Sequence, residues 1–388
     1  MFYNQQPTTN NPQLLLIIDS LFTGGAEYST LLWMEWLEER GYNVRLVLLK
    51  PKTPSYKIED FKISKDKVQQ LLPGGIYSKY KQLKKIINEF KPDIVHSVLN
   101  ASNFLTRAIK LTGGKFKHVE SVVNQPYAPE RLQDNRIVSW KIKMLNVYDH
   151  ITQGTGVNHF HANSQAVADH YIQYVGVPAN KITVIPRGRT ENQYIQQRAA
   201  LRTHYAQELR LNPDAIWLIN TGRHEYQKAH DVLIQAIFQL KTDISFEVLI
   251  AGREGANTEM LKSLVAKHQL ENKIHFLGHR TDISQLLVAS DIFVFPSRYE
   301  GMPGALIEAC TAGLPAICTD LPCMHEVVDD RSALFFSIND SEALANQINT
   351  LLSNSNLRKQ MGNVALKLFE EKFQLEGIHQ RMLLVIGC

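Results

Sequence analysis

The sequence predicts an α/β protein built as two doubly wound units, each a parallel sheet with helices on both faces. Three observations carry this. Short β-branched runs recur along the 388 residues, nearly every residue in them is apolar, and amphipathic stretches long enough for crossover helices separate them. The series also restarts. A strand-like Ile182–Pro186 ends at Ile185-Pro186-Arg187-Gly188-Arg189, a polar segment rich in Gln, Arg and Ala follows, and a second series begins at Trp217.

In the first half the runs are Leu14–Asp19, Val44–Leu49, Ile94–Val98, His118–Val123 and Phe160–Ser164. A Gly24-Gly25 turn after the first run precedes a helix over Glu27–Arg40, where Trp33 and Trp36 are expected to bury against the sheet. In the second half the runs are Trp217–Gly222, Phe246–Gly252, Ile274–Gly278, Ile292–Ser297 and Pro315–Thr319. From about Leu357 to Ile386 the periodicity is helical, and in architectures of this kind such a tail crosses back to the first domain. The expected domains are residues 1–187, joined by a helix at about 372–388, and residues 188–371.

Composition excludes disordered and fibrous classes: 44% of residues are hydrophobic and 21% charged. No apolar stretch is long enough to span a bilayer, and Leu14–Ile18 is too short for a signal-peptide core. A cytoplasmic protein is expected, with contact at the inner face of a membrane as a further option. Cys310, Cys318, Cys323 and Cys388 form no C-x-x-C pair, so no disulfide framework is expected, a Cys318–Cys323 bridge included. Up to Thr190 the chain carries 24 Lys and Arg against 15 Asp and Glu, and the remainder reverses the sign, 18 against 23. A basic first half suits an anionic partner such as a membrane surface. Lys62, Lys65, Lys67, Lys79, Lys81, Lys84 and Lys85 gather there. Nucleic acid is disfavoured, because the basic residues are dispersed and no recognised motif holds them.

The stretch richest in chemistry is Ser297-Arg298-Tyr299-Glu300-Gly301-Met302-Pro303-Gly304-Ala305-Leu306-Ile307-Glu308. It follows a strand and opens a helix, with Pro303 expected at the first helical position. Such a glycine-containing turn presents backbone N–H groups at the positive end of a helix, where a phosphate binds well. Glu300 and Glu308 are too far apart to form one local pair, so each is expected to meet a different part of an extended ligand. Arg223 and Lys228 follow the strand ending at Gly222, and a guanidinium fork beside an ammonium suits a diphosphate. His159 and His161 lie on one face of a strand without a third ligand at a sensible spacing, so no metal site is assigned. The G-x-G-x-x-G fingerprint is missing, which weakens a NAD or FAD reading, and no D-x-D triplet occurs.

Glu300 to Glu308 resembles the E-x7-E motif of retaining GT-B glycosyltransferases, specifically glycosyltransferase family 4. Asn220-Thr221-Gly222-Arg223 with Lys228-Ala229 resembles the family's G-R…K-G segment. Phe276-Leu277-Gly278 resembles the loop along the nucleotide base, Lys91–Ser97 its K-P-D-I-V-H-S strand, and Gly24-Gly25-Ala26-Glu27 its G-G-A-E turn. The resemblance implies two facing Rossmann-like domains with an interdomain cleft. It also implies a UDP- or GDP-sugar donor as co-substrate, no separate cofactor and no metal. Glu300, Arg223 and Lys228 would be catalytic, with Arg223 and Lys228 on the pyrophosphate and Glu308 on the ribose. Gly24, Gly25, Gly222, Gly278, Gly301, Met302, Pro303, Gly304 and Ala305 would line the donor site.

One departure matters. Where many members carry a cleft histidine, this chain reads Val122-Val123-Asn124. Asn124 and His96 are the acceptor-side candidates, and asparagine hydrogen-bonds without shuttling a proton. The expected reaction is transfer of a sugar, with retention, to a glycan or lipid-linked glycan in cell-surface polysaccharide synthesis. The alternatives are another GT-B enzyme acting on a nucleotide sugar, such as an epimerase or hydrolase, and a non-catalytic binding partner.

Overall fold

A computed structural model describes residues 12–22, 24–50, 58–134 and 136–387. Thirteen strands are described: β1 Leu14–Ile18, β2 Val44–Leu48, β3 Val68–Gln70, β4 Ile94–Val98, β5 Lys117–Val122, β6 His159–Ala162, β7 Ile182–Val184, β8 Ile216–Thr221, β9 Phe246–Ala251, β10 Ile274–Gly278, β11 Ile292–Phe295, β12 Ala316–Thr319 and β13 Ala333–Phe336. Helices α1 Gly25–Glu39, α2 Ile76–Phe90, α3 Asn100–Leu111, α4 Pro129–Leu132, α5 Ser139–Gly156 and α6 Gln165–Val175 belong to the first half. The second half adds α7 Arg198–Leu209, α8 His230–Gln239, α9 Thr258–Lys267, α10 Ile283–Ala289, α11 Gly304–Thr311, α12 Pro322–His325, α13 Ser341–Ser353, α14 Ser355–Lys372 and α15 Leu375–Ile386.

Two sheets result, ordered β3-β2-β1-β4-β5-β6-β7 and β10-β9-β8-β11-β12-β13, and every pairing is parallel. Counted from its own first strand, each sheet runs 3-2-1-4-5-6, with a seventh strand on the first. The order reverses between β1 and β4, and again between β8 and β11. A ligand crevice opens at such a switch point, beyond the carboxyl ends of the strands.

The apolar runs follow from burial on both faces. Leu14, Leu16 and Ile18 pack with α1 and α15, while Leu15 and Ile17 face α2 and α3. In the second sheet Leu218, Val248 and Ile250 share a core with α8, α9 and α13. β3 and β13 have no counterpart among the expected runs. Both are sheet-edge strands of three or four residues, too short to establish a pattern, and Val68-Gln69-Gln70 is polar besides.

The chain gathers into two compact units. The first runs to Tyr127, resumes over Val138–Gly188 and is completed from Glu376 onward; the second takes Ala128–Ile137 and Arg189–Leu375. The excursion Ala128–Ile137 lies inside the sequence-expected first domain. In the first unit Trp33 and Trp36 are buried, stacked at 5.4 Å, and meet His379 of α15 at 5.1 and 5.5 Å. Glu376 accepts from Trp36 Nε1 at 2.8 Å and from Arg40 at 2.7 Å. Cys310, Cys318 and Cys323 are buried free thiols.

Candidate active site

In the second unit the two motif segments emerge side by side from β8 and β11, the strands that flank the switch point. After β8 the chain turns through Gly222, Arg223 and Lys228; after β11 it runs through Ser297 to Glu300 and the glycine turn. The two loops are clasped reciprocally. Arg298 N–H donates to Gln227 O at 2.8 Å, and Gln227 Nε2 donates to Tyr299 O at 2.8 Å. The buried Arg298 guanidinium completes the clasp, donating to Asp231 at 2.6 and 3.1 Å, to Tyr226 O at 2.7 Å and to Asn339 at 2.7 Å. A buried arginine needs this many acceptors to offset its desolvation.

Within the clasp Lys228 Nζ donates to Glu300 Oε1 at 2.5 Å, with the side chains 16% and 9% exposed, and lies 4.8 Å from the Phe295 ring. An ammonium has three donors, so this bond leaves capacity for a phosphate oxygen. The half-buried Arg223 guanidinium has no hydrogen-bond or ion-pair partner among the described residues. Glu308 lies in the second turn of α11 and accepts from the buried Arg189 Nε at 2.8 Å. The two motif carboxylates are therefore held by different cations. Arg298 and Arg189 escape sequence reading of the motif, although a charged residue within an apolar strand-to-helix junction is itself a signal for a buried ion pair.

The glycines have distinct jobs. A side chain at Gly222 would press on Lys228 at 3.1–3.5 Å, so its absence seats the lysine stem. Gly252, at the end of β9, is more demanding: a Cβ there would lie 1.9 Å from Gly222 O. Gly278 has φ +66 beside a register shift between β10 and β9, which suits a residue without a Cβ. Gly301 and Met302 are buried in the turn. The helix begins at Gly304, one residue later than expected, with Pro303 at the capping position (φ −77, ψ 85) instead of the first helical one. The Pro303 carbonyl accepts from Leu306 and Ile307, so Gly304 and Ala305 form the first turn. Ala229 stands where the resembled segment has glycine, in left-handed backbone (φ 49, ψ 38), a conformation that costs an alanine about 1 kcal/mol.

The excursion Ala128–Ile137 reaches this site. Asp134 grips Arg136 at 2.7 and 2.9 Å, and Arg136 bonds Glu225, two residues from Arg223. Burial, helped by Asp134, pushes the Tyr299 phenol up.

In the first unit Gly24 and Gly25 follow β1 at the other switch point. A Cβ added at Gly24 would collide with Glu27 Oε2, and one added at Gly25 would collide with Arg187 Nη1. These glycines thus admit two charged side chains to the turn, one of them an arginine that the sequence marks only as a boundary residue. Asn124 is exposed beyond the end of β5. His96 is buried in β4, and burial pushes its pKa down to about 3. His161 Nε2–H donates to Ile185 O at 2.9 Å, so its Nδ1 accepts the Ser121 hydroxyl at 2.7 Å, and Ser121 in turn accepts from His96 Nε2–H at 2.7 Å. This relay occupies His96 and His161 structurally, and His159 bonds Thr183 at 2.8 Å. Among the described residues no group of three or more His, Cys, Asp or Glu is arranged to hold a metal ion.

Two families match the chain. The one described as Glycosyltransferase Family 4 matches residues 23–192, and Glycosyl transferases group 1 matches residues 202–368. The chain is 28% identical over 151 residues to the N-acetylgalactosamine-N,N'-diacetylbacillosaminyl-diphospho-undecaprenol 4-alpha-N-acetylgalactosaminyltransferase of Campylobacter jejuni, covering 38% of this chain and 40% of that one. It is 30% identical over 142 residues to O-antigen chain mannosyltransferase B of Escherichia coli, covering 36% and 37%. The chain thus spans about two fifths of the length of these relatives. The fold matches the crystal structure of Anabaena HepE in complex with UDP and glucose, with TM-score 0.81, 18% identity, and coverage of 96% of this chain and 98% of that one. Its two parallel sheets are those of the GT-B fold, and the chain belongs to glycosyltransferase family 4.

Proposed function

We propose that this protein transfers a hexose, with retention of anomeric configuration, from a UDP-sugar to a glycan or lipid-linked glycan in cell-surface polysaccharide synthesis. One observation carries the reading: Arg223, the Lys228–Glu300 pair and the glycine turn opening α11 converge on the β8/β11 switch point. Arg223 and Lys228 hold the diphosphate and offset charge on the departing nucleotide, a role that needs no metal. Glu300 takes the sugar end and Glu308 the ribose. No step uses a covalent nucleophile; positioning and charge stabilisation carry the reaction. The undecaprenol-linked substrate named for the Campylobacter relative and the O-antigen named for the Escherichia relative favour a lipid-linked acceptor. Such acceptors place the protein at a membrane surface. The UDP in the Anabaena neighbour favours uridine over guanosine.

The test is a panel of UDP- and GDP-sugars scored by thermal shift, because a ligand of the native state raises its melting temperature. Turnover of the stabilising donor is then followed by NMR of the product anomer. Stabilisation by UDP-sugars and a product with the donor's configuration are expected. Stabilisation by GDP-sugars alone moves the donor assignment to guanosine. Inversion, or donor isomerisation without transfer, sinks the proposal.

A further inference from the structure

The outer layer of the first unit carries a feature that sugar transfer does not use. α5 anchors through Ile142 and Leu145, which pack on the cluster containing Val122 and Phe160, and through the buried Asp149 and Thr152. Arg107 of α3 donates to Asp149 at 2.8 Å and to Thr152 at 3.0 Å, so this inner side is fixed. The opposite side bears Trp140, Met144, Val147 and Ile151, exposed by 59%, 63%, 57% and 71%. Their spacing of four, three and four residues puts them within an arc of about 60° along about 16 Å of helix. Isolated exposed apolar residues need no explanation, but four aligned on three turns mark a contact surface.

Charge around the stripe selects the partner. α3 lies between α2 and α5 in this layer. The three helices contain seven lysines, and their acidic residues are Glu89 and the buried Asp149. Lys141 and Lys143 flank the stripe and are exposed, as are Lys81 and Lys85 on α2. The lysines gathered in the sequence are thereby divided. Lys62, Lys65 and Lys67 are paired with Glu39, Glu59 and Glu38, whereas in this layer Glu89 answers Lys85 at 3.7 Å. Trp140 and the exposed Tyr77 add rings of the kind that sit at headgroup depth. No helix among the described residues is long and apolar enough to cross a membrane.

We infer that α5 is a membrane-docking helix, lying in the plane of an anionic bilayer with Trp140, Met144, Val147 and Ile151 in the acyl boundary and the lysines of α2 and α5 on the headgroups. This deepens the lipid-linked-acceptor reading and rests on it. The layer would bring the protein to the surface on which such an acceptor is held.

The chain supplies its own reporter, since Trp33, Trp36 and Trp217 are buried and Trp140 is not. The full-length protein is mixed with phosphatidylcholine vesicles, with and without phosphatidylglycerol, and assayed by flotation and tryptophan emission. Flotation with anionic vesicles only is expected, with a blue shift of emission and quenching by brominated lipid. A Met144→Glu/Ile151→Glu variant should lose at least roughly tenfold in partitioning. Lys141→Ala/Lys143→Ala should lose roughly thirtyfold at low salt. UDP binding by the same variants reads the donor site separately, and it should be unchanged. Flotation with neither lipid, or equally with both, overturns the inference. Anionic flotation with unmoved emission removes α5 as the inserting face. A dimer in solution that Met144→Glu/Ile151→Glu disperses assigns the stripe to a second copy of the chain instead.

Discussion

Mild acid should open the first unit before the second, and the size of the effect follows from its buried imidazoles. Burial pushes His96, His118 and His379 down to about 3 and His161 to about 4. In the unfolded chain each returns to about 6.5. The folded state therefore binds fewer protons, so the stability these rings permit is intact above pH 6.5 and is lost as pH falls below it. Each ring costs a little under ~1 kcal/mol at pH 6 and about 2 kcal/mol at pH 5, relative to pH 8. Four rings cost about 3 and about 8 kcal/mol, against a typical total of about 5–15 kcal/mol. The second unit carries one ring of comparable depth, His230, at about 3. Hydrogen exchange followed by mass spectrometry, corrected for the intrinsic pH dependence of exchange, separates the units by peptide. Peptides from β4, β5 and β6 should lose protection between pH 6 and 5, while β8 and β11 stay protected. Equal loss in both units, or uptake of fewer than about two protons on unfolding at pH 5, would refute the reasoning.

Three further outcomes are expected. Glu300→Gln should depress kcat more than nucleotide affinity, and Glu308→Gln should weaken UDP and UDP-sugar alike by roughly 1–3 kcal/mol in calorimetry; the reverse pattern exchanges their roles. Gly252→Ala forces a Cβ against Gly222 O and should cost roughly 3 kcal/mol in urea unfolding as well as UDP binding, whereas unchanged binding would show that the β8 loop tolerates displacement. Donor turnover should survive EDTA; its loss on chelation and return with magnesium or manganese would give the diphosphate's charge to a metal rather than to Arg223 and Lys228.

What the sequence discloses depends on locality. The central strands are legible because burial on both faces makes them uniformly apolar, as in Leu14–Ile18. The motif is legible because the glycine turn, Glu300 and Glu308 lie within nine residues of one junction. The clasp is less so. Arg298 with Asp231 and Arg189 with Glu308 are separated by 67 and 119 residues, and nothing local pairs them. Arg136 is harder still, because its importance depends on Ala128–Ile137 leaving one compact unit for the other. The start of α11 is misplaced by one residue because proline suits both the cap and the first turn. The basic first half is real as composition, but only the structure separates lysines already paired from those facing solvent.

α15 also bears on the order in which the molecule is made. It closes over Trp33 and Trp36, yet the first unit breaks off at Gly188 and resumes only at Glu376, and all of Arg189–Leu375 between them builds the second unit. At ordinary elongation rates the ribosome takes roughly 10–40 s to cover that distance. Throughout that interval the nascent first unit exposes the indole pair that α15 later covers. The second unit, begun later, has all its segments first. Vectorial synthesis and completion thus run in opposite directions along this chain, and a chaperone that recognises exposed aromatic surface has its window there.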